Sequence, residues 1–129
     1  MALEALRSLF ANSKATTAQV QDMSAATAIK FHGGADTIFV DVRGAAEIAQ
    51  TGTIKGAVHV PLQELARHAD PSGRATLPAV DSDKTIILVC ASGMRSANAA
   101  QQLIELGYRN VATIVGGIGQ WKSAGGAIQ

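Results

Sequence analysis

The chain of 129 residues contains a single cysteine, Cys90, which lies between an apolar run and a helix-forming segment. Residues 85–89, Thr-Ile-Ile-Leu-Val, predict a strand that is covered on both faces. The alanine-, glutamine- and leucine-rich segment at residues 97–106 ends before Gly107, which predicts a helix. A thiol at this junction faces backbone N–H groups, the positive end of the helix and Arg95, all of which favour the reactive thiolate. The sequence therefore predicts chemistry at one sulfur atom.

Composition and charge limit the class of protein. Hydrophobic residues make up 47% of the chain and charged residues 16%, which predicts one compact domain with its own core. The net charge is +1 and no run is rich in lysine or arginine, so we expect neither a nucleic-acid partner nor a membrane partner. The single cysteine excludes an internal disulfide and fits a reducing compartment. Glu4 and Arg7 interrupt the apolar stretch that a signal peptide would need, so we expect a cytoplasmic protein.

Hydrophobic periodicity and the positions of glycine divide the chain into strands and helices. Apolar, β-branched runs predict strands at residues 37–42, 57–60, 85–89 and 111–115. Helices are predicted at residues 2–12, 18–23, 25–31, 45–50, 62–68, 94–106 and 119–124. This alternation predicts an α/β fold with a mostly parallel central sheet of about five strands and helices on both faces. We divide the chain into an N-terminal helical extension, residues 1–14, and a domain, residues 15–129.

Motifs at the strand ends resemble those of a known family. The loop Cys90-Ala-Ser-Gly-Met-Arg-Ser is similar to the Cys-x-x-Gly-x-Arg-Ser active-site loop of single-domain rhodaneses, which are sulfurtransferases. Residues 41–47, Asp-Val-Arg-x-x-x-Glu, resemble the first-strand signature of that family. Residues 52–62 and 107–125 resemble two further motifs, and all of them occur in the family's order.

The resemblance implies a rhodanese-like fold and sulfur transfer through a persulfide on Cys90. The donor would be thiosulfate or a persulfide, and the acceptor would be cyanide, a thiol or a protein sulfur partner; no metal or organic cofactor would take part. Backbone N–H groups curled around one centre favour the negative outer sulfur of a persulfide, and a glycine in the loop permits a positive φ. The residues expected to form this binding loop are Ala91, Ser92, Gly93, Met94, Arg95 and Ser96.

The supporting residues each have more than one role open. Asp41 and Arg43 form either a purely structural ion pair or part of the site rim. We expect Glu47 to anchor backbone or Arg43 rather than to act as a base. We expect Arg95 to combine binding of an anionic donor with bracing of the loop. Ser96 either donates a hydrogen bond to the sulfur or caps the helix.

Two remaining features near strand ends have structural interpretations. The pair Gly116-Gly117 lacks the spacing of a dinucleotide-binding loop, and it either lines the floor of the pocket or lets the last strand turn. The histidines His32, His59 and His68 share no metal-ligand spacing with one another or with Cys90, so we expect no zinc site.

Three alternatives to a thiosulfate-using enzyme stay open. A cysteine phosphatase or arsenate reductase resembles this loop but places five residues between cysteine and arginine, whereas four lie between Cys90 and Arg95. A regulatory binding module would use the fold without catalysis. A persulfide carrier would deliver sulfur to a partner and turn thiosulfate over slowly. Because Ala91, Ser92 and Met94 add no cation to the loop, we expect modest affinity for thiosulfate.

Overall fold

The computed structural model describes residues 19–69 and 76–129. The predicted helix at residues 2–12 lies outside these residues, so the division into an extension and a domain stays a prediction. No helix in these two ranges is long and apolar enough to cross a membrane.

Five parallel strands form a single sheet in the order β1-β5-β4-β2-β3. Their bounds are β1 Gln21–Met23, β2 Thr37–Asp41, β3 Val58–His59, β4 Thr85–Val89 and β5 Val111–Ile114. The central strand β4 is buried along its whole length between β2 and β5. An apolar run of this kind is typical of a strand covered on both faces. The predicted α/β fold with a mostly parallel sheet of about five strands is confirmed.

Helices cover both faces of the sheet, as predicted. They are α1 Ala25–Ile29, α2 Ala45–Thr51, α3 Leu65–His68, α4 Met94–Glu105 and α5 Gly117–Ser123, and a 3-10 turn at Leu62–Glu64 leads into α3. Helices α1 and α5 pack in one hydrophobic cluster, and α3 and α4 pack in the other. Alternate residues of β4 enter opposite clusters, and this alternation continues to Cys90, which lies on the α3–α4 side. The hydrophobic cluster that contains α3 and α4 therefore holds Cys90 in place.

The helix predicted at residues 18–23 is wrong where the structure describes it, because Gln21–Met23 is the edge strand β1. Its residues pair with β5 in parallel, from Gln21 opposite Ala112 to Met23 opposite Ile114. Met23 is buried in the same cluster as α1 and α5. A six-residue helix is marginal on its own propensity, whereas β5 offers backbone partners and burial for one apolar side chain.

Candidate active site

The carboxyl ends of β2, β4 and β5 lie side by side at one edge of the sheet, and each is followed by a turn that begins a helix. The first residues outside these helices are Gly44 before α2, Gly93 before α4 and Gly116 before α5. Ligands of open parallel sheets bind at this edge. Helix N-termini also carry partial positive charge and unpaired N–H groups. The edge therefore favours an anion.

Cys90 follows β4 directly, and its side chain is buried under the loop that leads into α4. Gly93 has a φ of 110°, in the region that favours glycine, and its N–H group donates to Cys90 Sγ at 3.0 Å. The loop thus curls back so that its own backbone contacts the sulfur, as the sequence predicts. Ala91, Ser92 and Met94 are exposed on its outer side.

The environment of Cys90 lowers the pKa of its thiol below the ordinary value. Burial alone raises this pKa, but it is outweighed by hydrogen bonding from the Ser96 side chain and from the N–H groups of Ser96, Gly93 and Ser92. These donors stabilise the thiolate, which is the nucleophilic form of cysteine. The direction agrees with the prediction made from the loop and the helix N-terminus.

Ser96 connects the loop to the neighbouring strand. Its side chain is buried, and its hydroxyl oxygen lies 3.2 Å from the Gly93 carbonyl oxygen and 2.5 Å from the Thr113 hydroxyl in β5. Because Thr113 can donate to Ser96, the single proton of Ser96 can be directed to the sulfur when Cys90 is a thiolate. The hydroxyl therefore fixes the backbone turn that presents the Gly93 N–H group to the sulfur. Sequence reasoning missed Thr113, and only the parallel pairing of β4 with β5 could have indicated it.

The turn between β5 and α5 supports the loop from behind. Gly116 and Gly117 have φ values of 80° and 66°, and the N–H group of Ile118 donates to the Cys90 carbonyl at 2.9 Å. A Cβ atom at Gly117 would lie 2.4 Å from the carbonyl oxygens of Cys90 and Ala91. Of the two roles left open for this glycine pair, the turn of the chain is present, and Gly116 also lines the cavity beside the loop. Gly117 in addition packs against the backbone of the loop.

Arg95 forms an ion pair with Glu47 at the rim of the loop. Its two terminal nitrogens lie 2.7 and 2.8 Å from the two carboxylate oxygens, and the side chains are 41% and 39% exposed. Glu47 also accepts a hydrogen bond from the Gly44 N–H group at 3.3 Å. The hydrogen bonds from Arg95 are the main reason why the pKa of Glu47 falls to about 2, although its partial burial opposes that shift.

These contacts decide between the two anchors expected for Glu47. Of the two anchors expected for Glu47, the backbone one is present through Gly44, whereas the arginine that it binds is Arg95 and not Arg43. The reason is that Arg43 turns inward to Asp41, while parallel pairing of β2 with β4 brings α2 beside the start of α4.

Asp41 and Arg43 form a buried ion pair below the rim. Their side chains are 0% and 1% exposed, and Arg43 Nη2 lies 2.7 Å from Asp41 Oδ2. The Asp41 carboxylate also accepts hydrogen bonds from the Arg43 N–H group and the Thr53 hydroxyl, while Arg43 donates to Thr51 and to the Gly52 carbonyl. Of the two roles left open, this geometry fits the structural one. The pair fixes the end of β2 and thereby the start of α2.

A cavity of about 210 Å³ lies beside the loop, between α4 and the ends of β1 and β5. Its lining includes Gly93, Met94 and Val115, with Asp22 from the edge strand. Met94 is 81% exposed and Val115 is 53% exposed, so the cavity has two exposed apolar side chains at its rim. The described ranges hold no group of three or more side chains placed to bind a metal ion.

Comparison with known proteins places this geometry among related domains. A family model described as a rhodanese-like domain matches residues 16–124. A sulfurtransferase from Allochromatium vinosum is 36% identical over 90 residues, which cover 70% of this chain and 76% of that protein. The thiosulfate sulfurtransferase GlpE from Haemophilus influenzae is 33% identical over 84 residues, which cover 65% of this chain and 71% of that protein.

A solved structure from Rhodopseudomonas palustris has a similar fold. It is 32% identical to this chain with a TM-score of 0.77, and the match covers 98% of this chain and 93% of that one. That protein is described as being of unknown function and as a possible tyrosine phosphatase.

Proposed function

The chain belongs to the rhodanese-like domain family, and on that basis we propose that it is a sulfurtransferase that carries sulfur as a persulfide on Cys90. The observation that carries this proposal is the 3.0 Å hydrogen bond from the Gly93 N–H group to Cys90 Sγ at the start of α4. It combines a nucleophile with backbone donors that favour negative charge on sulfur.

Two half-reactions make up the proposed cycle. In the first, the Cys90 thiolate attacks the outer sulfur of thiosulfate; the new sulfur–sulfur bond forms as the donor's own breaks, and sulfite leaves with the electron pair. In the second, cyanide or a thiolate attacks the outer sulfur of the persulfide, and Cys90 leaves as the thiolate. Electrons balance within each step, so no external oxidant or reductant is required.

The loop suits the persulfide as well as the thiolate. The outer sulfur of a persulfide carries the negative charge, and it would lie among the N–H groups of Ser92, Gly93 and Ser96 at the positive end of α4. The Ser96–Thr113 contact holds these groups in place before the sulfur arrives. Preorganised donors of this kind stabilise charge without reorganising during the reaction.

The donor and acceptor are proposed from different observations. Similarity to the thiosulfate sulfurtransferase of Haemophilus influenzae supports thiosulfate as a donor. The exposed side chains of Met94 and Val115 support a thiol acceptor or a protein sulfur partner that contacts an apolar rim. A cytoplasmic location is part of the proposal, because a single reactive thiol fits a reducing compartment.

Intact mass spectrometry tests the proposal directly. Wild-type protein incubated with thiosulfate should gain one sulfur atom, and cyanide should remove it; Cys90→Ser should gain none. If the wild type gains no sulfur from thiosulfate or from a small-molecule persulfide, sulfur transfer through Cys90 is refuted.

A phosphatase is the second candidate, because the similar Rhodopseudomonas protein is described as a possible one. Only four residues separate Cys90 from Arg95, and the guanidinium of Arg95 is already bound to Glu47. A phosphate group needs a wider loop and a free arginine, so we expect no hydrolysis of p-nitrophenyl phosphate. Hydrolysis that is lost in Cys90→Ser would favour the phosphatase instead.

A further inference from the structure

Arg95 is the single arginine or lysine of the loop formed by residues 90–96, and it is paired with Glu47. Both terminal nitrogens bind Glu47, at 2.7 and 2.8 Å. A two-point arginine–carboxylate pair is geometrically specific. An anionic donor that approaches this loop therefore encounters an arginine whose charge is balanced.

Glu47 is held in position independently of Arg95. It lies in the first turn of α2, where a carboxylate is favoured by the helix dipole and where it accepts the Gly44 N–H group. The buried Asp41–Arg43 pair fixes the backbone just before that turn. The negative charge of Glu47 is therefore held at the rim by α2 and by Gly44 as well as by Arg95.

The Arg95–Glu47 pair is accessible to solvent. Each side chain is about two-fifths exposed, whereas Asp41 and Arg43 are buried. A rim charge that is exposed to this degree acts mainly on the approach and binding of charged ligands.

From this geometry we propose that Glu47 is a specificity-determining residue that discriminates against dianionic sulfur donors and favours donors of lower charge, such as persulfides. The inference rests on the proposed sulfur transfer at Cys90. Glu47 acts through Arg95 and through its own charge, so it is a positioning residue and not a catalytic one. Removing the charge while keeping the shape should make thiosulfate a better donor.

The size of the effect follows from charge. One unit charge near the rim changes the association of a monoanion by roughly threefold, and of a dianion by roughly tenfold, in partly screened surroundings. We therefore expect Glu47→Gln to raise kcat/KM for thiosulfate by roughly tenfold through a lower KM. The gain should shrink as salt is added.

Alkylation of Cys90 tests the charge effect without any sulfur transfer. Iodoacetate and iodoacetamide differ little in size but differ by one negative charge, and Cys90 is the only cysteine in the chain. We define the alkylation ratio as the rate with iodoacetate divided by the rate with iodoacetamide. Burial of the thiol slows both reagents alike, so it cancels from this ratio. In Glu47→Gln this ratio should rise by roughly threefold.

Two further variants separate the effect of the Glu47 charge from the effect of its contact with Arg95. Glu47→Asp keeps the charge but shortens the side chain, so the ratio should stay near that of the wild type. Glu105→Gln makes the same change of charge at the far end of α4 and should also leave the ratio unchanged. Equal ratios in wild type, Glu47→Gln and Glu47→Asp would overturn the proposal, and so would an equal rise in both Glu47 variants.

The alkylation ratio and the sulfur-transfer assays distinguish failure of the Glu47 proposal from failure of the sulfur-transfer proposal. If the alkylation ratio rises in Glu47→Gln but no variant accepts sulfur, the electrostatic role of Glu47 stands and the proposed sulfur transfer falls. If the wild type transfers sulfur but neither the ratio nor the KM for thiosulfate changes in Glu47→Gln, the role of Glu47 falls and sulfur transfer stands.

Discussion

Replacing Gly117 with alanine tests how the β5–α5 turn positions Cys90. The substitution should destabilise the protein in two ways, through the backbone conformation and through steric overlap. A Cβ atom there would lie 2.4 Å from the carbonyl oxygens of Cys90 and Ala91, and the residue has a φ of 66°. The positive φ alone costs an alanine about 1–2 kcal/mol. The overlap with backbone atoms adds roughly 1–3 kcal/mol, because no flexible side chain can move away to relieve it.

Two other glycines separate these costs. Gly125 has a φ of 90° but open space where a Cβ would lie, so Gly125→Ala should show the cost of φ alone. Gly119 lies within α5 with neither a positive φ nor any atom near its Cβ position, so Gly119→Ala should stabilise the protein by about 0.5–1 kcal/mol.

Urea unfolding of the three variants and the wild type measures these free energies. We expect Gly117→Ala to lower the free energy of unfolding by about 2–5 kcal/mol in total. Relief of the overlap must displace the Cys90–Ala91 backbone, so the alkylation rate of Cys90 should change in this variant and not in the other two. A loss of stability equal to that of Gly125→Ala, with an unchanged alkylation rate, would refute the contact between the turn and the loop.

Three further predictions concern the ionisable groups. The alkylation rate of Cys90 against pH should have a midpoint below the value of an ordinary cysteine, and Ser96→Ala should raise that midpoint because the Ser96 hydroxyl favours the thiolate; a midpoint that Ser96→Ala leaves unchanged would contradict this. The pKa of Glu47, lowered from 4.5 to about 2, means that its ion pair stabilises the fold above pH 4.5 and that this contribution disappears as the pH falls toward 2. In acid titrations of the wild type and Glu47→Gln, the difference in unfolding free energy should be at most about 1 kcal/mol, since the pair is exposed, and a difference that grows on acidification would have the wrong sign. Arg43→Met should leave the Asp41 carboxylate buried and unpaired and cost about 3–5 kcal/mol in urea unfolding; a cost below that of an exposed pair would contradict the structural role.

The strands that the sequence predicts correctly are those whose own residues determine them. Residues 85–89 contain no polar side chain except a threonine, and every one of them is buried in the sheet. The sequence does not predict β1, because its residues have no strand pattern of their own. Its conformation comes from pairing with β5, which lies about ninety positions further along the chain, and no local pattern contains that information.

The site was predictable to a similar extent. The position of Cys90 and the need for Gly93 follow from a strand, a short loop and a helix in succession. The partner of Glu47 does not, because Arg43 lies four positions before it in sequence and Arg95 lies 48 positions after it. The choice depends on two non-local facts, namely the burial of Arg43 against Asp41 and the pairing of β2 with β4.

The environment of Cys90 is therefore built from three strand ends rather than from one loop. The loop supplies the N–H group that contacts the sulfur, but the contact between Ser96 and Thr113 and the turn at Gly117 position that loop from β5. The negative charge of Glu47, at the start of α2 after β2, lies at the rim of the same loop. The contacts that position the loop come from elements of the sheet and its packing. Substitutions in the β5–α5 turn should therefore change the alkylation rate of Cys90 without contacting its side chain. Substitutions in α2 should alter which anions reach the thiol while leaving the donors around the sulfur in place.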